Sequence, residues 1–591
     1  MRSLVKPNRP IFTDLAGLAA MVADGDAFGV GGHHFARLPI ALLREIVSRG
    51  TSRLGYVAWA GGLPLEMLLE AGAVASIDIC FSSLDIFGLP PRFRAAAENG
   101  TVPVRDWTAL AMIQALRAAQ QNLPMMPFQV PTGSDMMART PGARTIEDPL
   151  SGASIGAIPP LRLDTVILHA PRADESGNVE IVGAKALDWP MVGAAAKVVV
   201  TVEEIVPRGK LAADGRQSIL TRNQITAIAL APGGAWPTSC LPFYVTDYAA
   251  LHAALAPGKP ALAEALRLPT AGVPDFVRDA ATVRAADVRP PFPTVVGRGM
   301  AEASIDEVMA VRIAAELDNE SFASAGAVSP LANVAYRLAK ATHAPDMIIA
   351  TLSCGHLDIQ PSPMLLSLIE CLDAETAVAH ASGDETYSTY YQAGAVTHEI
   401  IAAAQVDGEA RVNNIRLARK GGGFVRLPGQ GGMADVANMH RNYVIYVTRH
   451  SAMSLVAKVD VASCGRGILS DAARAAAGYR KGAVKLFTDL CVFGLDPETR
   501  MLTVVETMPG VARERIAEAT GFAVRFAADC REVVPPDAGT LRLLREQIDP
   551  LGLRRLEFVG SRERSALLDE IIAGDRDLVA RLATRPGRPA K

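Results

Sequence analysis

Length, composition and charge exclude several classes of protein. The chain has 591 residues, which is too long for a single hydrophobic core, so we expect at least two domains. With 49% hydrophobic and 20% charged residues it is neither disordered nor fibrous. A formal net charge of −3 gives no general attraction to nucleic acid or to anionic lipid, so we expect neither as a partner.

Cysteine usage and the apolar runs indicate the compartment. The seven cysteines form no Cys-x-x-Cys pair, which argues against a zinc site and against a disulfide framework, so we expect no metal. The first residues lack the apolar core of a signal peptide. Apolar runs such as 198–202 have only the length of a strand. We therefore expect a cytoplasmic protein with no membrane partner.

Strand-like and helix-like segments alternate along the chain. Short β-branched runs are separated by Ala- and Leu-rich stretches, a pattern typical of open, largely parallel sheets covered by helices. The runs lie at 166–170, 198–202, 347–352 and 442–448. Prolines interrupt the pattern from about 270 to 302, and a helix restarts at Ser304 with Glu307 in capping-box spacing. We predict an α/β fold divided into residues 1–285 and 286–591.

The two predicted halves begin alike. The first has a helical stretch at 13–24, then 26–32 (DAFGVGG) and a second helix. The second has a helix at 304–317, then 320–326 (ESFASAG) and a helix from about Pro330. Helix, strand, small-residue turn and helix recur in the same order, which favours a duplicated architecture with two similar halves.

Two glycine turns are candidate binding sites. Gly29, Gly31 and Gly32 lie between an apolar strand and a helix, and Gly429, Gly431 and Gly432 follow the run 424–428. Glycine lets backbone N–H groups approach a ligand, and a helix N-terminus favours an anion. The same patterns are also typical of tight turns with a structural role. His33 and His34 are adjacent, so their side chains are expected to diverge and not to form a metal pair.

Motifs in both halves resemble the family I coenzyme A-transferases, in particular glutaconate CoA-transferase, with the two subunits of that family fused in one chain. First-half segments resemble the α subunit: 93–100 (FRAAAENG), 133–135 (GSD), 172–179 (RADESGNV), 197–205 (KVVVTVEEI) and 237–240 (PTSC). Second-half segments resemble the β subunit: 426–432 (RLPGQGG), 488–493 (TDLCVF), 509–511 (PGV), 520–522 (TGF) and 548–550 (IDP).

The resemblance implies two α/β halves around a shared cleft that binds acyl-CoA, with a small carboxylic acid as the second substrate and no permanently bound cofactor. Gly29, Gly31 and Gly32 would supply oxyanion-hole N–H groups for a thioester that becomes tetrahedral. The turn containing Gly429, Gly431 and Gly432 would lie against CoA. Family members have an aromatic residue where this chain has His33. A homo-oligomer is compatible with this assignment.

The chain departs from the family at the nucleophile. Family transferases use a glutamate of the β half, whose carboxylate attacks the thioester. The matching segment here is 348–358, where Ser353 stands in that place, and no Glu or Gln occurs from 347 to 359. Glu98 in the first half imitates the family's Glu-Asn-Gly signature, but we interpret it as part of a surface turn.

Other residues are candidates for the missing chemistry. Cys354 and His356 would share one face if this segment were a strand, so the thiol could meet the imidazole, while Ser353 would face away. A buried inert cysteine and a structural histidine remain open alternatives. Family members without the β-half glutamate hydrolyse carbon–carbon bonds with an acid of the α half. Asp106 is the nearest such acid here, and it is equally suited to cap a helix.

Three functions remain open at the level of sequence. The first is CoA transfer between an acyl-CoA and a carboxylic acid, which the resemblance over residues 12–552 favours. The second is hydrolysis of a CoA ester, at a carbon–carbon bond or at the thioester, which the missing glutamate favours. The third is a non-catalytic acyl-CoA-binding protein that has kept the fold.

Overall fold

The computed structural model describes residues 6, 8–211, 218–256, 258–293, 302–326, 329–465 and 469–583. The described part of the first half contains thirteen strands and ten α-helices. Its strands are β1 (Ile11–Thr13), β2 (Ala27–Val30), β3 (Leu54–Ala60), β4 (Val74–Phe81), β5 (Val104–Asp106), β6 (Met126–Phe128), β7 (Arg144–Glu147), β8 (Ser154–Ile158), β9 (Leu163–Asp174), β10 (Val179–Ile181), β11 (Ala195–Val206), β12 (Ser218–Leu220) and β13 (Ala227–Leu230). Its helices are α1 (Leu15–Ala19), α2 (Ile40–Ser48), α3 (Gly62–Glu70), α4 (Pro91–Asn99), α5 (Ala109–Gln120), α6 (Met136–Arg139), α7 (Asp188–Ala194), α8 (Tyr248–Leu255), α9 (Leu262–Ala265) and α10 (Asp275–Ala280).

The second half is built in the same manner. Its strands are β14 (Phe322–Ser324), β15 (Ile348–Ala350), β16 (His356–Leu357), β17 (Ala379–His380), β18 (His398–Ala402), β19 (Gln405–Asp407), β20 (Val412–Asn413), β21 (Arg416–Ala418), β22 (Phe424–Arg426), β23 (Asn442–Val447), β24 (Leu455–Val456), β25 (Val484–Thr488), β26 (Cys491–Leu495), β27 (Leu502–Thr507) and β28 (Phe526–Glu532). Its helices are α11 (Ile305–Ala314), α12 (Pro330–Ala341), α13 (Ile369–Thr376), α14 (Gly383–Thr386), α15 (Met433–Met439), α16 (Asp471–Ala476), α17 (Arg513–Ala519), α18 (Ala538–Leu543) and α19 (Ser561–Ala583).

Each half has one large sheet, which confirms the predicted α/β class with two similar halves. The first runs β1-β13-β11-β9-β2-β3-β4-β5 with every neighbouring pair parallel. The second runs β15-β14-β18-β23-β25-β26-β27-β28, and β26 is antiparallel to both of its neighbours. Central strands such as β9 are buried along most of their length, which explains their continuous apolar runs.

The duplicated opening is present, with one difference. β2 and β14 occupy equivalent places, each followed by a turn and a helix. Helix α11 begins after Ser304, whose N–H donates to the Glu307 carboxylate at 3.0 Å as predicted. The predicted helix at 13–24 is shorter, because the N–H of Ala23 donates to Asp26 Oδ2 and the chain turns there.

The segment at the junction of the two halves makes packing contacts and is not a simple linker. The proposed boundary at 285/286 lies in the short 3₁₀ helix Ala285–Asp287. Buried residues of the preceding segment, such as Val277, belong to the same apolar cluster as Ile313 of α11. This segment therefore packs with the second half. No helix in the described ranges is long and apolar enough to cross a membrane.

Candidate active site

A cavity of about 170 Å³ lies between the two halves. The first half contributes the turn that follows β2, including His33 and His34. The second half contributes α12, the turn that joins β15 to β16, and the start of α13. The turns after the equivalent strands β2 and β14 both reach this cavity, the second through Ala325 and Gly326, so the same strand-and-turn unit contributes to both walls. This is the shared cleft that the sequence predicts.

The first glycine turn is tightly packed. Gly31 donates its N–H to Ile167 O at 2.9 Å, Gly32 donates to Asp188 Oδ1 at 3.0 Å, and Gly29 lies within β2 between two paired strands. A Cβ at Gly31 would lie 1.9 Å from Leu168 Cδ2, and Gly32 has a φ of +82°. In this conformation these N–H groups are already used, so the contacts explain the glycines by packing and not by an oxyanion hole.

The residues after this turn bring imidazoles to the cavity. His33 is buried, burial lowers the pKa of its ring well below the usual value, and Nε2 has no hydrogen-bond partner among the described residues. His34 places Nδ1 2.6 Å from Asp85 Oδ1. The fully buried Arg37 anchors the turn by donating to Asp188 Oδ2 at 2.7 Å. The first wall thus presents one neutral imidazole and one His–Asp pair.

The segment around Ser353 is a turn and not a continuous strand, which corrects the predicted alternation of faces. Thr351 N–H donates to His356 O at 2.9 Å and Gly355 N–H to Thr351 O at 2.8 Å. Gly355 has a φ of +85°, and a Cβ there would lie 1.9 Å from Ala381 O. Cys354 and His356 line the cavity. Ser353 is half-buried and is hydrogen-bonded to the Cys354 side chain.

Cys354 and His356 are both neutral groups. Burial raises the pKa of the Cys354 thiol to about 12 and lowers the pKa of the His356 imidazole to about 3. Within the described part of the chain, no hydrogen bond joins the two, and His356 Nε2 has no partner. The thiol is therefore not activated as a thiolate, and the imidazole offers a free acceptor nitrogen.

Two functional candidates in the cavity were missed by the sequence analysis. Glu370 lies in the first turn of α13; Ser239 Oγ donates to its Oε2 at 2.5 Å, and its Oε1 is buried without a side-chain hydrogen bond among the described residues. Burial raises the pKa of the Glu370 carboxyl, opposed by the Ser239 hydrogen bond, by the charge of Arg37 and by the Ala184 backbone N–H. One signal was available, since Glu370 is the single charged residue in the run 364–372 (MLLSLIECL).

Arg337 is the second missed residue. It lies in α12, is buried, and donates from Nη2 to Asp373 Oδ1 at 3.0 Å. Its Nε and Nη1 have no partner in the described ranges, and the residue lines the cavity. A buried guanidinium with spare donors is suited to a carboxylate ligand.

Several predicted residues lie outside the cavity, at the contact between the halves. Asp106 forms a bidentate ion pair with Arg426, at 2.5 and 3.1 Å. Glu98 pairs with Arg94 and Arg419, both at 2.7 Å. Both acids therefore form ion pairs that stabilise the contact between the halves. Glu98 bridges the halves, in contrast to the predicted surface turn.

The second glycine turn also lies at this contact. Gly431 N–H donates to Cys80 O at 3.0 Å, and a Cβ at Gly429 would lie 2.7 Å from that same carbonyl oxygen. A Cβ at Gly432 would meet the Tyr387 hydroxyl at 2.0 Å. The predicted role beside CoA is thus not needed to explain these glycines, because backbone of the first half lies against Gly429 and Gly431 and the Tyr387 side chain lies against Gly432.

One group of potential metal ligands lies in the first half. His169, Glu203 and Cys240 place ligand atoms within 4.8 Å of one another. His169 already bonds Thr201 Oγ1 at 2.9 Å and Glu203 Oε1 at 2.8 Å, and Tyr244 also donates to Glu203. These contacts satisfy the cluster as a buried hydrogen-bond network.

The architecture consists of two α/β halves around a shared cleft. Comparison with known proteins identifies the family. Residues 12–216 and 307–519 match the family described as coenzyme A transferase. The chain belongs to this family of enzymes. The two matched segments confirm that it joins two subunit-like halves, as the motifs predict.

Individual relatives match about two fifths of the chain. An uncharacterized protein of Archaeoglobus fulgidus is 29% identical over 38% of this chain, which spans only 51% of that protein. A subunit of the 3-oxoadipate CoA-transferase from Pseudomonas knackmussii is 31% identical over 42% of this chain and 94% of its own length. The cholesterol ring-cleaving hydrolase IpdA subunit of Mycobacterium tuberculosis is 30% identical over 40% of this chain and 84% of its own.

A solved structure shares the fold over nearly the whole chain. The acyl-CoA transferase YdiF of Escherichia coli O157:H7 superposes with a TM-score of 0.65 and 14% identity, covering 91% of this chain and 99% of that one. At this identity the likeness establishes the common fold alone.

Proposed function

We propose that this chain moves CoA from an acyl-CoA to a small carboxylic acid in the cleft between its halves. The observation that carries the proposal is the cavity lined by both halves, with the turn of residues 351–356 on one wall. Membership of the coenzyme A transferase family supports it. CoA enters and leaves as part of the substrates, so the proposal requires no permanently bound cofactor.

The lining suits both substrates. Met364, Leu366 and Ile369 provide an apolar wall for an acyl group. The spare N–H donors of Arg337 can hold the carboxylate of the acid. The seven cysteines are free thiols, which suits a reducing compartment, so the proposal places the protein in the cytoplasm. The proposal also includes association of the chain with copies of itself.

Hydrolysis of a CoA ester is the second candidate. Ser353 replaces the family glutamate, and the neutral imidazole of His356 lines the cavity with an Nε2 that can accept a hydrogen bond from a water molecule. The relationship to a ring-cleaving hydrolase subunit also favours this candidate. The non-catalytic alternative predicts binding of CoA esters without turnover.

The test is a panel of acyl-CoAs incubated with and without acetate or succinate, with the products identified by mass. Transfer predicts a new acyl-CoA only when the acid is present, whereas hydrolysis predicts free CoA or ring-opened product without it. The double variant R337Q/D373N removes the cation and its partner together, so it leaves no buried unpaired charge. We expect it to raise KM for the acid with little change in KM for acyl-CoA; equal effects on both would remove Arg337 from acid binding.

A further inference from the structure

We infer that Glu370 is the catalytic carboxylate of this CoA transfer, acting in place of the glutamate whose position Ser353 occupies. The inference rests on the function proposed above and adds its nucleophile. It places the carboxylate on the helix that follows the turn 351–356, and not on the turn itself.

Elimination among the carboxyl groups of the cavity leads to Glu370. Asp85, Glu370 and Asp373 line the cavity. Asp85 lies 2.6 Å from His34, and Asp373 lies 3.0 Å from Arg337. Among the described residues, Glu370 is the lining carboxyl without an ion pair. Unlike these two aspartates, Glu370 has no salt bridge to break before its carboxylate attacks, because its contacts are hydrogen bonds from the Ser239 hydroxyl and the Ala184 backbone N–H.

The surroundings orient the carboxyl. Ser239, from the first half, donates to Oε2 at 2.5 Å, and the Ala184 backbone N–H of the same half is a further hydrogen-bond donor to the carboxyl. Gly183 has no side chain, and a Cβ at that position would lie 2.9 Å from Oε1. A glycine there gives the buried Oε1 the room that a side chain would take. The carboxyl thus depends on both halves for its position.

Glu370 also lies beside the turn that carries the family's nucleophile in other members. Its charge adds to the burial that raises the pKa of the Cys354 thiol, which places the two groups close together. Cys354 O in turn accepts the N–H of Lys185 from the first half at 3.2 Å. The carboxylate, the turn and the facing segment between β10 and α7 therefore form one site.

The chemistry balances without any further reagent. Oε1 of ionised Glu370 attacks the thioester carbonyl carbon; a C–O bond forms, the C–S bond breaks, and CoA leaves as thiolate with the electron pair. The thiolate then attacks the glutamyl carbonyl carbon, and the donor leaves as a carboxylate from the anhydride. An acceptor carboxylate runs the same two steps in reverse and regenerates Glu370.

The test is trapping of the enzyme–CoA thioester. Wild type mixed with acetyl-CoA alone and then reduced with borohydride should carry the reduced glutamyl group on the peptide that contains Glu370. E370Q should carry no such label and should lose transfer by roughly 10⁴-fold or more, while CoA affinity is retained. E375Q, in the same helix but outside the cavity, and S353A should both keep the label.

The outcomes separate this inference from the proposed function. The role of Glu370 is wrong if the wild type transfers CoA but carries the label on another residue or carries no label. It is also wrong if E370Q keeps full activity. In each of these cases the proposed CoA transfer itself still holds. Absence of transfer to any acid, with no label, overturns both. Thermal unfolding of E370Q and of E370D checks that the fold is unchanged, and E370D should retain a trace of label because its carboxylate is shorter by one methylene.

Discussion

Asp106 is a buried acid and Glu370 a half-buried one, and their partners give them different roles. Asp106 uses both oxygens in an ion pair with Arg426 across the contact between the halves. Glu370 lines the cavity and accepts hydrogen bonds from Ser239 and the Ala184 backbone N–H, with no ion pair among the described residues. The comparison shows that burial alone does not mark a reactive acid. A carboxyl group that lines a cavity and has no ion pair is the better candidate, because no salt bridge repays its desolvation cost.

The largest effect on stability is expected at Asp106. Asp106→Asn leaves the buried Arg426 guanidinium without its anion, so the free energy of unfolding should fall by about 3–5 kcal/mol, measured by urea unfolding. Catalytic rate per folded molecule should change little. The double variant D106N/R426M should recover part of the loss. If D106N keeps the stability of the wild type but loses activity, Asp106 is a catalytic acid, and the contrast drawn here between Asp106 and Glu370 is wrong.

Asp435 extends the comparison to a carboxyl that resembles Glu370 in its partners but lies away from the cavity lining. Its Oδ2 accepts the Leu110 N–H at 2.9 Å, its Oδ1 has no partner among the described residues, and burial raises its pKa to about 7. The folded state then binds the proton more tightly than the unfolded chain, whose Asp pKa is about 3.9. Stability should therefore fall as pH rises from about 4 to about 7.

Asp435→Asn should remove this pH dependence and keep an acceptor for Leu110. At pH 8 the variant should be more stable than wild type by about 2–4 kcal/mol, measured by urea unfolding at several pH values. Identical pH profiles for the two proteins would show that Asp435 is ionised in the folded state throughout.

Ser239→Ala sharpens the comparison at Glu370 itself. The Ser239 hydrogen bond lowers the pKa of the Glu370 carboxyl, so its loss should raise that pKa further. If Glu370 must be ionised to attack, the rising limb of kcat against pH moves to higher pH, and activity falls more at pH 6 than at pH 9. Stability should drop by about 1 kcal/mol. An unchanged pH profile would separate Ser239 from the reaction.

The smallest effect is expected at Glu375, the matched acid of α13. It lies outside the cavity lining, and its carboxylate accepts the Ala285 N–H at 3.0 Å. Glu375→Gln keeps an acceptor oxygen, so stability should stay within about 0.5 kcal/mol and transfer should be unchanged. A large loss of activity here would mean that α13 as a whole, and not Glu370, is sensitive to charge.

Local patterns predicted the elements around the site well. The glycines at 29–32, the capping box at Ser304 and the apolar runs of β9 and β11 reflect neighbours in sequence, so period and turn residues identify them. The assumption that 351–356 continues a strand was wrong because Gly355, with φ +85°, closes a turn against Ala381 O. That constraint comes from a neighbour 26 residues away.

The sequence by itself determined the family, the α/β class, the pair of similar halves and the absence of a glutamate at position 353, because these depend on motifs and on local periodicity. Only the tertiary structure decided which acids are paired. Asp106 meets Arg426 from 320 residues away, Ser239 meets Glu370 from 131 residues away, and a Cβ at Gly429 would meet the backbone of Cys80 in the other half. A carboxyl group's chemistry is set by the groups within a few ångströms of it, and the fold of the chain chooses those groups.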